Sequence, residues 1–269
     1  MTITTIYSNT FSALALMVAR SLDDCVSGVV TGTSTNTTVV SNTLLKPNDF
    51  YIGQQCHFYA GTHLGQTREI TDSALVNTVL TFSPAVVNIC DTTDYYMLTK
   101  KFTYDQYKDA INLAIDKAKE RYLLNKVTTS VTQVDDTYEY AVPDGYRYIS
   151  KIIPENTVNG SDYYELSAIN PEDWGIVKDP TAPVIRFTYE YTAGVHFEIT
   201  GQSVQPTLST DSAVCYMPTP YVVQMAKAIL MSSKPEYEKL IGPNMQLADR
   251  ELQLITTPVL PGSKSVFEL

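Results

Sequence analysis

Between Thr103 and Lys126 the segment "TYDQYKDAINLAIDKAKERYLLNK" sets Tyr104, Tyr107, Ile111, Ala114, Ala118 and Tyr122 at steps of three and four. That spacing is one face of an α-helix. Thr103 and Gln106 form a capping box, in which each side chain satisfies a backbone N–H that the helix start would leave unpaired. Asp105, Asp109 and Asp116 fall early or midway, and Lys117, Lys119, Arg121 and Lys126 fall late, as the helix dipole favours. The alanines keep the apolar stripe flat, so another element can approach it closely. A chain with this segment must supply a partner for that stripe.

Other helices are predicted to supply it. In "TFSALALMVARSLDD", Phe11, Leu14, Val18 and Leu22 repeat the helical spacing, with Ser8 or Thr10 as N-cap. Pro218 or Pro220 opens "TPYVVQMAKAILMSSK", whose stripe is Val222, Ala226, Ile229 and Leu230. Pro235 opens "PEYEKLIGPNMQLADRELQLI", expected to be irregular at Gly242–Pro243. Between the first two helices, residues 25–98 are Thr- and Val-rich and broken by Gly, Asn and Pro. They read as four to six short strands of a small barrel or sandwich. A second β region spans 127–202, with a Pro-Asp-Gly turn at 143–145. There Ile185, Phe187, Tyr189 and Tyr191 form the apolar set of a strand, and Ala193-Gly194 is read as the hairpin turn that follows.

The expected fold is therefore α+β. A helical core comes from 1–24, 99–126 and 215–254, with long helices near 10–24, 103–126 and 218–254. The β-module 25–98 is inserted in it, residues 127–214 form a β region, and 255–269 is an extended tail. That tail, "TTPVLPGSKSVFEL", has two prolines and a glycine and an apolar end that needs something to touch.

Composition narrows the function. The 269 residues carry a formal charge of −10, and the sequence pI is near 4.7. No basic run exists to grip phosphates. Charged residues make up only 18%, below the usual quarter, and there are 19 tyrosines. Both suit a surface covered by neighbours. Cys25, Cys56, Cys90 and Cys215 form no C-x-x-C pair, and His57, His63 and His196 show no ligand spacing, so no metal or cofactor is expected. The cysteines read as reduced and buried. No phosphate-binding glycine motif and no nucleophile elbow is present. The adjacent carboxylates Asp23-Asp24, Asp135-Asp136 and Glu172-Asp173 read as solvated turn residues, so no enzyme is expected. No stretch is apolar enough for a transmembrane helix, and the N-terminus does not resemble a signal peptide. The expectation is a protein of a reducing compartment.

The stretch "YAGTHLGQTREITD" (59–72) carries a histidine, an arginine and two carboxylates. Strand alternation puts Arg68 and Glu69 on opposite faces, which excludes a pair. His63 is expected near an exposed loop tip. Arg68 is expected to bond to a carboxylate or loop carbonyl. Both are candidate interface residues, between subunits or on an outer surface.

Several segments then resemble tailed-bacteriophage virion proteins. "DFYIGQQCHFYAGTHLGQTREITD", "TVLTFSPAV" and "DYYML" together resemble a β-module recurrent in them. "YDQYKDAINLAIDKAKER", "YEYAVPDGYRYISKI" and "ITGQSVQPTLSTD" with "MPTPYVVQMAKAIL" resemble the long helix, the following segment and the closing elements of head-to-tail connector proteins, the portal adaptors of the neck. What this resemblance implies is a structural virion protein, assembled in the bacterial cytoplasm. It would form a ring, commonly a dodecamer, under the portal and link capsid to tail. Its partners would be the portal, copies of itself and downstream tail or neck proteins. DNA would only pass through the channel, and no membrane is involved. The C-terminal tail would dock on the portal through Pro258, Leu260, Val266, Phe267 and Leu269. The β-module would project outward, or toward the capsid or a tail partner. The alternative is another tail, baseplate or fibre-attachment protein.

Overall fold

A computed structural model describes residues 8–178 and 182–267. The first part of the chain runs β1 (Asn9–Thr10), α1 (Phe11–Ser21), β2 (Cys25–Val29), β3 (Thr38–Val40), β4 (Gln55–Ala60), β5 (Thr67–Ala74), β6 (Val79–Ser83), β7 (Tyr95–Thr99) and α2 (Tyr104–Ala118). Then come β8 (Leu123–Thr132), β9 (Glu139–Ala141), β10 (Tyr148–Pro154), β11 (Trp174–Val177), β12 (Val184–Phe187) and β13 (His196–Val204). The last are β14 (Val214–Cys215), α3 (Thr219–Ser232), α4 (Glu238–Ile255) and β15 (Lys264–Ser265).

The expectation of a helical core built from long helices is overturned. Among the described residues, four α-helices stand beside four sheets, and β and irregular structure predominate. The largest miss is the helix expected over 103–126, which stops at Ala118. Its start follows the sequence: Thr103 N–H donates to Gln106 Oε1 at 2.9 Å, and Gln106 N–H donates to Thr103 Oγ1 at 3.3 Å. Past Ala118 the apolar period changes. Val127, Thr128, Thr129, Val131 and Thr132 are β-branched, and Leu123–Thr132 pairs antiparallel with β13 as a strand. The helix expected over 10–24 is Phe11–Ser21, capped by Thr10, whose Oγ1 accepts the Ala13 N–H at 3.3 Å. The region 218–254 is two helices. Pro235 opens a single 3-10 turn, and α4 carries Pro243 in its interior.

The chain divides into two compact units, Met1–Ala118 with Pro206–Ile255, and Lys119–Gln205 with Thr256–Leu269. The first holds all four α-helices. In it α3 packs against α1, α2 and α4. Its strands β2–β7 form one antiparallel sheet in the order β2-β7-β4-β5-β6-β3. The edges curl toward each other: Thr31 N–H donates to the Val40 carbonyl at 2.9 Å, and Ser41 Oγ to the Val29 carbonyl at 2.6 Å. This half-barrel encloses Val39, Cys56, Phe58, Ile70, Leu80, Phe82, Tyr96 and Leu98.

The second unit has sheets β15-β10-β13-β8 and β11-β12-β9. Residues of both bury one common core, with Ile149, Ile152, Ile185, Phe187, Phe197 and Ile199 inside. Ile185 and Phe187 are buried as the alternation requires, but Tyr189 is exposed and lies past the end of β12. Ala193-Gly194 is not a hairpin turn between β12 and β13, because those strands belong to different sheets.

Candidate functional site

The stretch 59–72 folds as the end of β4, a turn, and the start of β5. The turn requires Gly61: its φ is +97°, and a Cβ there would lie 2.4 Å from the Thr93 carbonyl oxygen. This close approach brings the turn against Asp94. His63 N–H donates to Asp94 Oδ1 at 3.0 Å, and His63 Nδ1 lies 2.7 Å from Asp94 Oδ2. Nε2 lies 3.2 Å from the Asn88 carbonyl oxygen, and Asp91 N–H donates to Asp94 Oδ2 at 3.0 Å. His63 is 1% exposed and Asp94 is fully buried. The exposed loop-tip histidine expected from the sequence is thus corrected. Alternation along β4 and β5 carries no information on a turn that folds back over a neighbouring loop.

Cys90 completes a buried cluster, since one potential ligand atom from each of His63, Cys90 and Asp94 lies within 4.8 Å of the others. A nitrogen, a thiolate and a carboxylate would suit zinc. The local chemistry favours a different role. Both ring nitrogens already face oxygen acceptors. The Cys90 thiol is pushed up to about 12 by burial and by the nearby Asp94 and Asp91. The cluster reads as a hydrogen-bonded clamp holding the 61–66 turn to the 88–94 loop.

Arg68 is half-buried and behaves as a tie. Its Nε donates to the Ala85 carbonyl at 3.3 Å, Nη1 to the Thr67 carbonyl at 2.7 Å, and Nη2 to Gln66 Oε1 at 2.7 Å. A loop carbonyl is one of the partners the sequence suggested for it.

The other histidine of the half-barrel, His57, is also buried. Its ring stacks on Tyr104, with centroids 3.3 Å apart and planes 14° apart. Nδ1 lies 2.8 Å from Thr67 Oγ1, and Nε2 has no partner. Burial, with Lys108 adding to it, pulls this imidazole down to about 3. A cleft of about 300 Å³ is lined by Gly53, Gln55, Glu69, Thr99, Lys100, Lys101, Phe102 and Thr103. Lys101 Nζ is committed to the Leu22 and Asp23 carbonyls. No nucleophile–base pair lines that cleft.

The C-terminal residues named from the sequence have separate fates. Val266 is 1% exposed and sits in the core of the second unit. β15 pairs antiparallel with β10, and Val266 N–H donates to the Arg147 carbonyl at 3.0 Å. The buried Gln202 side chain holds the segment before it. Its Nε2 donates to the Pro258 carbonyl, and its Oε1 accepts the Leu260 N–H, both at 3.0 Å. Pro258 is exposed and Leu260 half-buried. Phe267 is exposed beneath the Arg147 guanidinium, 5.9 Å from its ring centre. Leu269 lies outside the described residues. The apolar end that needed something to touch finds part of it within its own unit.

Sequence reasoning missed the exposed apolar side chains at one end of the half-barrel. Leu45, Phe50, Ile52, Leu75 and Val76 are 44–73% exposed. They lie on two loops tied to each other. Leu75 N–H donates to Asn48 Oδ1 at 2.9 Å, Asp49 N–H to the Ser73 carbonyl at 2.8 Å, and Gly53 N–H to the Ile70 carbonyl at 2.9 Å. The signal was present as "LLKPNDFYI" and "ALVNT", apolar residues inside turn-forming segments, where burial is not required.

No helix among the described residues is long and apolar enough to cross a membrane. No protein-family model matches the chain, and no curated protein sequence matches it.

Proposed function

We propose that the protein is a structural component of a tailed-bacteriophage particle. It acts as a head-to-tail adaptor, a ring of copies, commonly twelve-fold, beneath the portal that links capsid to tail. The observation that carries this reading is the apolar surface formed by Leu45, Phe50, Ile52, Leu75 and Val76. Its two loops are fixed by backbone hydrogen bonds, so the surface is preformed, and binding through it costs little ordering entropy. Five exposed apolar side chains on two loops tied to each other suit a protein that works by contact. The segment resemblances to virion proteins name the kind of assembly, and the charge of −10 suits a channel that DNA passes without sticking. The role needs no core of long helices. Docking is assigned to the half-barrel loops rather than to Val266, which its own unit occupies.

Co-sedimentation with portal-filled capsids tests the proposal. Wild type should pellet with them, and Phe50→Asp with Val76→Asp should not. Wild-type protein that stays in the supernatant at every concentration would overturn the adaptor reading. The predominance of β-structure favours a second reading, a tail or baseplate component, under which the protein would pellet with tails and not with capsids.

A further inference from the structure

The C-terminal segment sits in the second unit as a bound peptide would. β15 adds to the edge of β10, with Tyr148 opposite Ser265 and Ile149 opposite Lys264. The Val266 N–H continues the pairing on the Arg147 carbonyl. Upstream, the Gln202 amide uses both of its ends, one on the Pro258 carbonyl and one on the Leu260 N–H. Two side chains of the segment have seats of their own. Val266 enters the core, and Lys264 Nζ stands over the Trp174 ring and donates to the carbonyls of Pro171 and Trp174. Strand addition to a sheet edge, with separate seats for side chains two apart, is how proteins recognise extended peptides.

Little else holds the segment. Val266 is the only buried residue in 256–267, and β15 is two residues long. Lifting the segment out therefore exposes far less surface than unfolding the unit, and it costs correspondingly less. The segment follows directly on α4, which belongs to the first unit, while the groove belongs to the second. Every contact in the groove is the same whether the segment comes from its own chain or from another. The connection to α4 and the local concentration of copies thus set the balance between the two.

From this seating we infer that the groove takes the C-terminal segment of a second copy when copies assemble. Each chain then places its Lys264 and Val266 in the second unit of one neighbour and receives those of another. The occupant is the one already seated in the groove, so its fit is given by the contacts above. Exchange of an identical element is a low-cost route to association, because it replaces contacts within a chain by the same contacts between chains. Giving to one neighbour and receiving from another is heterologous, and such contacts generate rings or filaments. The inference rests on the ring reading above and names a contact that would join the copies.

Cysteines placed across the β10–β15 pair test it in the full chain. Tyr148 and Ser265 are directly opposite, which suits a disulfide. Tyr148→Cys and Ser265→Cys are made as two single variants, mixed and oxidised. A segment that stays in its own chain leaves the two new thiols on different molecules, so a covalent dimer forms only by exchange. The mixture should give that dimer, and the double variant in dilute solution should close within one chain. The reaction is run on concentrated free protein and again on portal-filled capsids. Failure to bind capsids would count against the adaptor role, while the dimer in free protein would still decide this exchange. No dimer in either mixture, a dimer from either single variant alone, or a double variant that fails to close overturns the inference. A peptide of residues 256–267 in excess should abolish the dimer by filling the groove, and the same peptide with Val266→Asp should leave it. A dimer that persists under the first peptide also overturns the inference.

Discussion

The Tyr107 hydroxyl donates to Asp24 Oδ2 at 2.7 Å, and both side chains are buried. Asp24 also accepts three backbone N–H groups, from Lys100 at 3.0 Å, Lys101 at 2.6 Å and Phe102 at 3.0 Å. One carboxylate thus fixes the loop between β7 and α2 to the end of α1. Burial, reinforced by the bond to Asp24, pushes the Tyr107 phenol far above its ordinary value. The sequence reading of Asp23-Asp24 as a solvated pair holds for exposed Asp23 and fails for Asp24. Asp24→Ala strands four donors, three backbone N–H groups and the Tyr107 hydroxyl, and should cost about 3 kcal/mol or more in urea unfolding. Tyr107→Phe should cost about 1 kcal/mol. A loss below 1 kcal/mol for Asp24→Ala would contradict the anchoring role.

His57 makes the first unit acid-sensitive. Its folded value is about 3, against 6.5 in the unfolded chain, so between these values the unfolded state binds more protons. Stability should therefore fall as pH drops through that window, by at most about 3 kcal/mol from this group between pH 7 and 4. His57→Phe retains an aromatic ring against Tyr104 and removes the proton site. Its unfolding free energy should change less over the same range than that of wild type.

Glu155 gives the second unit a different window. Its carboxyl is held at about 2, first by the Ser161 N–H and then by the His196 ring and the N–H groups of His196 and Asn159. The unfolded value is 4.5, so its contribution is present above pH 4.5 and is lost as pH falls toward 2. Trp174, the only tryptophan, is buried in this unit and reports on it by fluorescence. In Glu155→Gln the pH dependence of the Trp174 transition between 4.5 and 2 should flatten.

Removing residues 256–269 should damage the second unit before any question of docking arises. It takes β15 from the edge of a sheet and Val266 from the core. It also removes Lys264 Nζ from 4.2 Å above the Trp174 ring. The Trp174 emission should move to the red, and Val266→Ala should cost about 2 kcal/mol. Unchanged emission after the deletion would show that the segment is not seated.

All four cysteines should resist a thiol reagent in the native protein. Cys56, Cys90 and Cys215 are buried and Cys25 is half-buried. Burial pushes the Cys25 and Cys215 thiols to about 11, which leaves roughly a thousandth as thiolate at pH 8. Ellman's reagent should label four thiols in urea and none within minutes in buffer.

What the sequence disclosed follows from the range of the forces involved. The capping box of α2 and the Thr10 cap involve residues three apart, so their geometry was readable. The end of α2 was not, because helical spacing in 119–126 competes with pairing to β13, a strand some eighty residues later. The burial of His63 depends on Asp94 and Asn88, and that of Asp24 on residues 100–107. In each case a polar side chain looked solvated because its partners are distant in the chain. Val266 was recognised as needing a contact, but its partner strand β10 carried no mark of an open edge.

The two units are interleaved along the chain, each closed by a piece made after part of the other. Synthesis runs in one direction, so α1 and α2 emerge well before α3 can cover them. During that interval residues 119–205 leave the ribosome, and the stripe of Tyr107, Ile111 and Ala114 still lacks its main cover. The protein's own order of manufacture thus creates a waiting period in which chaperones or premature self-contact compete for that stripe.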